Sequence, residues 1–326
     1  MQENSVRTEW QVAPGTEQPA ASRKLGRTDV RIPPLGIGCW AWGDRLVWGY
    51  GSGTFSDGDL REAFDASIEG GVNFFDTAEV YGFGRSEKLL GRFIREANQP
   101  VVVATKFAPL PWRLTKRALR DALERSLKRL GLERVDLYQV HFPVPPVSVE
   151  TWADGLAGLV EVGLTRAVGV SNYSTLQMRR AHAVLAERGI PLASNQVKYS
   201  LLDRTPERIG LLDACRELGV TLIAYSPLEQ GLVTGKYSAE NPPQGVRARR
   251  FKKRYSLAAP VVARLKEIGE RHGRTPDQVA LNWIICKGAV PIPGVKNARQ
   301  TRQNLGALGW QLAPDEVKAL DEIAPW

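Results

Sequence analysis

Val101-Val102-Val103-Ala104-Thr105-Lys106, then Asp121-Ala122-Leu123-Glu124-Arg125-Ser126-Leu127-Lys128-Arg129-Leu130-Gly131, then Val135-Asp136-Leu137-Tyr138-Gln139-Val140-His141: this stretch decides the fold. Two short apolar runs, rich in β-branched residues, flank a segment of another kind. Its leucines at 123, 127 and 130 recur at i, i+4 and i+7, the stripe of an amphipathic helix, and Gly131 supplies the stop. Strand, helix and strand in that order argue for parallel strands joined by a crossover.

The same alternation extends in both directions. Upstream lie Leu35-Gly36-Ile37-Gly38 and Val72-Asn73-Phe74-Phe75-Asp76. Downstream lie Ala167-Val168-Gly169-Val170-Ser171, Ala193-Ser194-Asn195-Gln196-Val197, Val220-Thr221-Leu222-Ile223-Ala224-Tyr225 and Ala289-Val290-Pro291-Ile292. Thr115 and Thr205-Pro206 read as helix starts. About eight strand–helix units favour an α/β fold of the closed (β/α)8 TIM-barrel type over an open doubly wound sheet. Arg23 to Pro33 forms an expected N-terminal hairpin that closes the bottom. Residues 1–22, polar and holding Pro14, Gly15 and Pro19, read as a mobile tail, and 23–326 as a single barrel domain. The longest irregular stretch, Glu229 to Ser256, is an excursion after the seventh strand and belongs on the catalytic face.

Composition narrows the function. In 326 residues, 43% are hydrophobic and 24% charged, which excludes a disordered chain. No apolar run reaches the ~18 residues of a membrane span. Met1-Gln2-Glu3-Asn4 lacks the order of a signal peptide. Cys39, Cys215 and Cys286 lie far apart, so neither a disulfide framework nor a metal site is expected, and the location expected is cytoplasmic. Of the formal net charge of +9, six units fall between Arg247 and Arg254. Such a patch wants a concentrated anion: nucleic acid or the phosphates of a cofactor. Only Phe251 and Tyr255 interleave with it, a poor match to a nucleic-acid surface.

Gly36-Ile37-Gly38-Cys39-Trp40-Ala41 matches a dinucleotide fingerprint in letters only. A helix should open at once, but the chain runs on through Gly43, Gly49, Gly51 and Gly53. The informative residues stand where strands end: Asp76, Lys106 and His141, with Tyr81 in the loop just beyond Asp76. In a barrel these ends share one mouth. Each residue has a bland reading alone, as a solvated charge, an ion-pair partner or a core histidine. Together they suit carbonyl reduction, in which a hydride arrives on carbon and a proton on oxygen. Tyrosine holds its proton at neutral pH, and a nearby ammonium lowers its pKa and eases the transfer. A carboxylate keeps the ammonium charged, and a histidine orients the carbonyl.

Asp76-Thr77-Ala78-Glu79-Val80-Tyr81-Gly82 with Ser86-Glu87, Thr105-Lys106, and Asp136-Leu137-Tyr138-Gln139-Val140-His141 together resemble the aldo-keto reductase superfamily. The branch most resembled holds bacterial and plant reductases and the potassium-channel β subunits. The resemblance runs from about Arg23 to Ile323 and implies Tyr81 as general acid, tuned by Lys106 and Asp76, with His141 orienting the substrate.

It also implies NADP(H). Ser171, Asn172 and Gln196 would hold the nicotinamide carboxamide, and Tyr225 would stack on the ring. Ser226, Pro227, Leu228 and Gln230 would line the pyrophosphate, with Lys236 in a belt over it. Gly294, Lys296, Gln300, Gln303 and Asn304 would form the adenine-nucleotide site, with Lys296 toward the 2′-phosphate and Gln303 where the family usually has Glu. Gly38, Cys39 and Trp40, after the first strand, and Asp76 complete the cofactor set. Trp40, Trp42, Trp48 and Trp112, with Tyr81 and His141, suit a flat or apolar carbonyl substrate. The function implied is an NADPH-dependent reductase of aldehydes or ketones; the alternative is a regulatory NADP(H)-binding subunit of the channel-β type. Expected partners are a small-molecule carbonyl substrate, with neither nucleic acid nor membrane, and a homo-oligomer is left open.

Overall fold

In the computed structural model, residues 22–238, 241–242, 251–252 and 254–324 are described. The expected mobile tail, apart from Ser22, lies outside them. So do Arg247, Arg249, Arg250 and Lys253 of the basic cluster.

The chain opens with an antiparallel pair, β1 (Arg23–Lys24) and β2 (Arg31–Ile32). Eight parallel strands follow: β3 (Ile37–Gly38), β4 (Phe74–Asp76), β5 (Val102–Phe107), β6 (Val135–Val140), β7 (Thr165–Ser171), β8 (Leu192–Lys198), β9 (Thr221–Tyr225) and β10 (Val290–Ile292). Each pairs with its sequence neighbour. The ring closes where the amides of Gly36 and Gly38 donate to the carbonyls of Pro291 and Pro293, both at 3.0 Å. Glycine is required at that seam, because a Cβ on Gly38 would lie 2.8 Å from the Ile292 carbonyl oxygen.

The helix Lys116–Leu130 shows how the sequence builds the outer layer. The Thr115 side chain caps it by accepting from the Ala118 amide, and Gly131 ends it at φ 69°. Leu119, Leu123, Leu127 and Leu130 form its buried stripe. The expected start at Thr205-Pro206 is found: the short helix Thr205–Arg208 follows Arg204 as its cap, and the chain breaks at Gly210 before Leu211–Leu218. No helix follows Gly36–Ala41; the first begins at Asp57, which disposes of the dinucleotide fingerprint. The excursion after β9 begins with a 3₁₀ turn, Glu229–Thr234, and the outer layer resumes with the helix Tyr255–His272.

The inside of the barrel is layered with the two-residue period of its strands. Leu25, Val30 and Ile32 of the hairpin region pack against Phe74, Ala104, Leu137, Ala167, Ile223 and Ile292 as an apolar plug. Two residues further along four of those strands stand Asp76, Lys106, Gln139 and Gly169, and polar chemistry begins.

Candidate active site

Asp76, on β4, is 2% exposed, and Lys106, on β5, is fully buried. The Lys106 Nζ donates to Asp76 Oδ1, to the Thr77 carbonyl at 2.8 Å and to the Tyr81 hydroxyl at 3.4 Å. Those contacts use all three protons of an ammonium. The other carboxylate oxygen, Asp76 Oδ2, accepts from Gln196 Nε2 at 2.8 Å and from Gln139 Nε2 at 3.3 Å. Burial alone would lower the pKa of Lys106; Asp76, with a smaller part from Tyr81, outweighs it and leaves it raised. The amine is therefore charged.

Tyr81 begins a 3₁₀ turn whose Gly82 and Phe83 take left-handed backbone angles, φ 55° and 58°. The turn swings its ring over the barrel axis, 5.8 Å from His141 and 6.4 Å from Trp40 between centroids. The expected depression of its pKa is not found. Burial pushes the hydroxyl above its ordinary value, and Lys106 only partly counters that. His141, 8% exposed, follows β6 and stacks on Phe142 at 4.4 Å. Burial, and then Lys106, lower its pKa to about 3, so it is a neutral imidazole. Its Nδ1 is buried without a hydrogen-bond partner among the described residues.

A cavity of about 920 Å³ opens above these groups. Gly38, Cys39, Trp40, Asp76, Tyr81 and His141 reach its wall from the ends of β3 and β4 and from the loops after β3, β4 and β6. The Cys39 thiol is buried and its pKa is pushed well up by burial and by Asp76, so it is no nucleophile. Asn172, Gln196, Tyr225, Ser226, Pro227, Leu228 and Gln230 form the middle. Three of them, Asn172, Ser226 and Gln230, hold left-handed φ values of 61°, 52° and 56°. Strain of that kind in non-glycine residues gathers at binding sites. Asn172 ties two parts together: its Nδ2 donates to the His141 carbonyl at 3.0 Å, and its Oδ1 accepts from the Tyr225 hydroxyl at 3.0 Å. Ser171 does not reach the wall. It stands behind it, donating to the Gln196 carbonyl at 2.8 Å and accepting from Asn172 at 3.1 Å.

Lys236, Gly294, Lys296, Gln300, Gln303 and Asn304 also line the cavity. Lys296 also meets the tryptophan loop. Its amine lies over the rings of Trp48 and Phe55, at 4.8 and 4.7 Å, and donates to the Trp48 carbonyl at 3.3 Å. Trp48 in turn packs edge-on against Trp40 at 5.4 Å.

Two of the expected substrate residues are corrected. Trp42 is fully buried: a turn from Cys39 carries its indole into the core, where Nε1 donates to the Val295 carbonyl at 3.0 Å and the ring meets Phe75 and Phe93. Trp112 is 76% exposed and off the wall. Its neighbour Arg113 draws the loop down onto Glu79 through paired bonds of 2.7 and 3.0 Å, and Trp112 is left facing outward. The sequence reading missed Val80, Phe142, Asp277 and Arg299. Phe142 was signalled by following His141, and Arg299 by standing three residues after Lys296. Asp277 comes from a helix start beside the last loop and had no local signal.

Among the described residues no cluster of three His, Cys, Asp or Glu could hold a metal, and no helix is long and apolar enough to cross a membrane.

Comparison with known proteins agrees with this architecture. The model of the aldo/keto reductase family matches residues 34–325. A chloroplastic pyridoxal reductase of Arabidopsis thaliana is 44% identical over 93% of this chain and 86% of that protein. An aldo-keto reductase of Schizosaccharomyces pombe, yakc [NADP(+)], is 33% identical over 92% of this chain and 90% of that protein. Among solved structures, a glycerol dehydrogenase from Gluconobacter oxydans superposes with a TM-score of 0.82 at 28% identity, covering 94% of this chain and 95% of that one. A thermostable aldo-keto reductase in complex with the inhibitor epalrestat gives 0.75 at 33% identity, covering 93% and 99%. With this barrel, these buried groups at its mouth and a family match along nearly the whole described chain, the protein belongs to the aldo/keto reductase family of oxidoreductases.

Proposed function

We propose that the protein reduces a flat, uncharged aldehyde or ketone with NADPH, with Tyr81 as the proton donor. The observation that carries this reading is the position of Lys106, which spends one proton on Asp76 and another on the Tyr81 hydroxyl. The cavity suits the cofactor in size and donor set. Asn172, Gln196 and Tyr225 would hold the nicotinamide end, Ser226 to Gln230 the pyrophosphate, and Lys236, Lys296 and Arg299 offer cations at the far end. Ser171 would act by bracing Asn172 and Gln196 from behind. When bound, the nicotinamide supplies the hydride. His141, neutral, points the carbonyl oxygen toward Tyr81, and Tyr81 hands over its proton. Lys106 then faces the phenolate and stabilises it.

The substrate end favours aromatic compounds. Trp40, Trp48, Val80 and Phe142 surround Tyr81 and His141. The nearby guanidinium of Arg113 is committed to Glu79. Likeness to a pyridoxal reductase makes pyridoxal the first compound to try. Trp40, Val80 and Phe142 offer a phosphate no cation, which predicts a roughly tenfold or greater loss in kcat/KM for pyridoxal 5′-phosphate against pyridoxal. The test follows NADPH absorbance over a panel of aromatic, aliphatic and phosphorylated aldehydes, with wild type and Tyr81→Phe. Loss of turnover in the variant, with NADPH binding retained, is expected. A variant turning over at the wild-type rate would end the assignment of Tyr81.

A further inference from the structure

Gln139 stands at a level of the barrel where the strand period changes character. Two residues before it, Leu137 belongs to the apolar plug, and two residues after it comes His141. On the flanking strands its register partners are Lys106 and Gly169. The side chain is fully buried and is not part of the cavity wall. A leucine would fill that volume without any polar atom to satisfy. The amide is instead bonded at both ends: Nε2 donates to Asp76 Oδ2 at 3.3 Å, and Oε1 accepts from Ser194 Oγ at 3.4 Å. Gly169 makes room for this pair, since a Cβ there would lie 2.3 Å from Ser194 Oγ and 3.2 Å from Gln139 Cγ.

The other donor to Asp76 Oδ2 is Gln196, whose side chain does reach the cavity and is the candidate partner of the nicotinamide carboxamide. One donor to this oxygen therefore faces the cofactor, and the other never does. We propose that Gln139 is a positioning residue: it fixes the Asp76 carboxylate, and through it the Lys106 amine beneath Tyr81, whether or not cofactor is bound. This rests on the reading of Tyr81 as proton donor. The titratable groups packed around the pair are Asp76 on β4, Lys106 on β5, Tyr81 in the turn after β4, His141 after β6, Cys39 after β3 and Tyr225 on β9.

Two variants test it, Gln139→Leu and Gln139→Glu, with alcohol oxidation and carbonyl reduction measured across pH and NADPH affinity measured by fluorescence. Gln139→Leu removes one bond to a buried carboxylate, so kcat is expected to fall roughly tenfold to hundredfold while aldehyde KM and NADPH Kd stay within about twofold. A less firmly held Lys106 stabilises the phenolate less, so the alkaline rise of alcohol oxidation moves to higher pH. Gln139→Glu sets a second carboxyl beside Asp76, and one of the two has a raised pKa. While that proton is present it restores the bond and reduction stays close to wild type; above its pKa the reduction rate falls, giving a descending limb at lower pH than the strongly alkaline one of wild type.

Unchanged kcat and an unchanged pH profile in Gln139→Leu would overturn the proposal. If that variant does not fold, a wild-type profile in Gln139→Glu overturns it equally. Tyr81→Phe separates the two levels: an active Tyr81→Phe removes the underlying reading, whereas an inactive one beside an unaffected Gln139→Leu removes only the role of Gln139.

Discussion

Tyr81 keeps its proton because burial acts more strongly on it than Lys106 does. A tyrosine raised above its ordinary value near ~10 stays protonated through the neutral range. Carbonyl reduction should therefore hold level across neutral pH and fall only in the strongly alkaline range, where alcohol oxidation, which needs the phenolate, should rise. Stopped-flow rates in both directions would show this; a reduction limb falling near neutrality would contradict it. His141 makes a second forecast. With its pKa lowered to about 3, it adds no step to kcat/KM between pH 5 and 8. The same shift enters stability. The unfolded chain takes up this proton near pH ~6.5 and the folded chain only near 3, so stability is lost as pH falls through that window. At this scale the sequence put Asp76, Tyr81, Lys106 and His141 at or just beyond strand ends, and the structure brings the four side chains together there. It could not weigh burial against charge at Tyr81, nor see that Gln139 and Gln196 meet the same carboxylate, since those contacts cross strands far apart in the chain.

Elements were more legible than loops. All eight barrel strands and the Thr115-to-Gly131 helix follow from periodicity and caps, which are local. The tryptophan loops have no period: Trp40 and Trp48 line the cavity, but for the other two the reading failed in both directions. Trp42 went into the core, where its own indole bonds the Val295 carbonyl, and Trp112 out to solvent beside the Arg113–Glu79 pair. The two should separate in denaturant unfolding. Trp42→Ala removes a packed indole and should cost about 3–5 kcal/mol, whereas Trp112→Ala should stay within about 0.5 kcal/mol. Equal effects would contradict the packing described.

Taken whole, the molecule spreads its charges unevenly along one cavity. Among the described residues the cations that reach the wall are Lys236 and Lys296, from the loops after β9 and β10, and Arg299, from the helix Ala298–Leu305 after β10. One such contact to a 2′-phosphate predicts about tenfold to hundredfold preference for NADPH over NADH. Equilibrium binding of both cofactors, in wild type and Lys296→Ala, measures it; equal affinities in wild type would remove the preference. Because Lys296 also holds Trp48, its replacement should raise aldehyde KM as well. The apolar plug beneath Asp76 and Lys106 gives the opposite end of the cavity a different character. Leu25, Val30 and Ile32 are buried and set hydrocarbon rather than electrolyte beneath that pair, so its field is little screened from that side. Added salt should weaken cofactor capture at the exposed cations yet leave single-turnover proton transfer untouched: one barrel, screened at its rim and insulated at its floor.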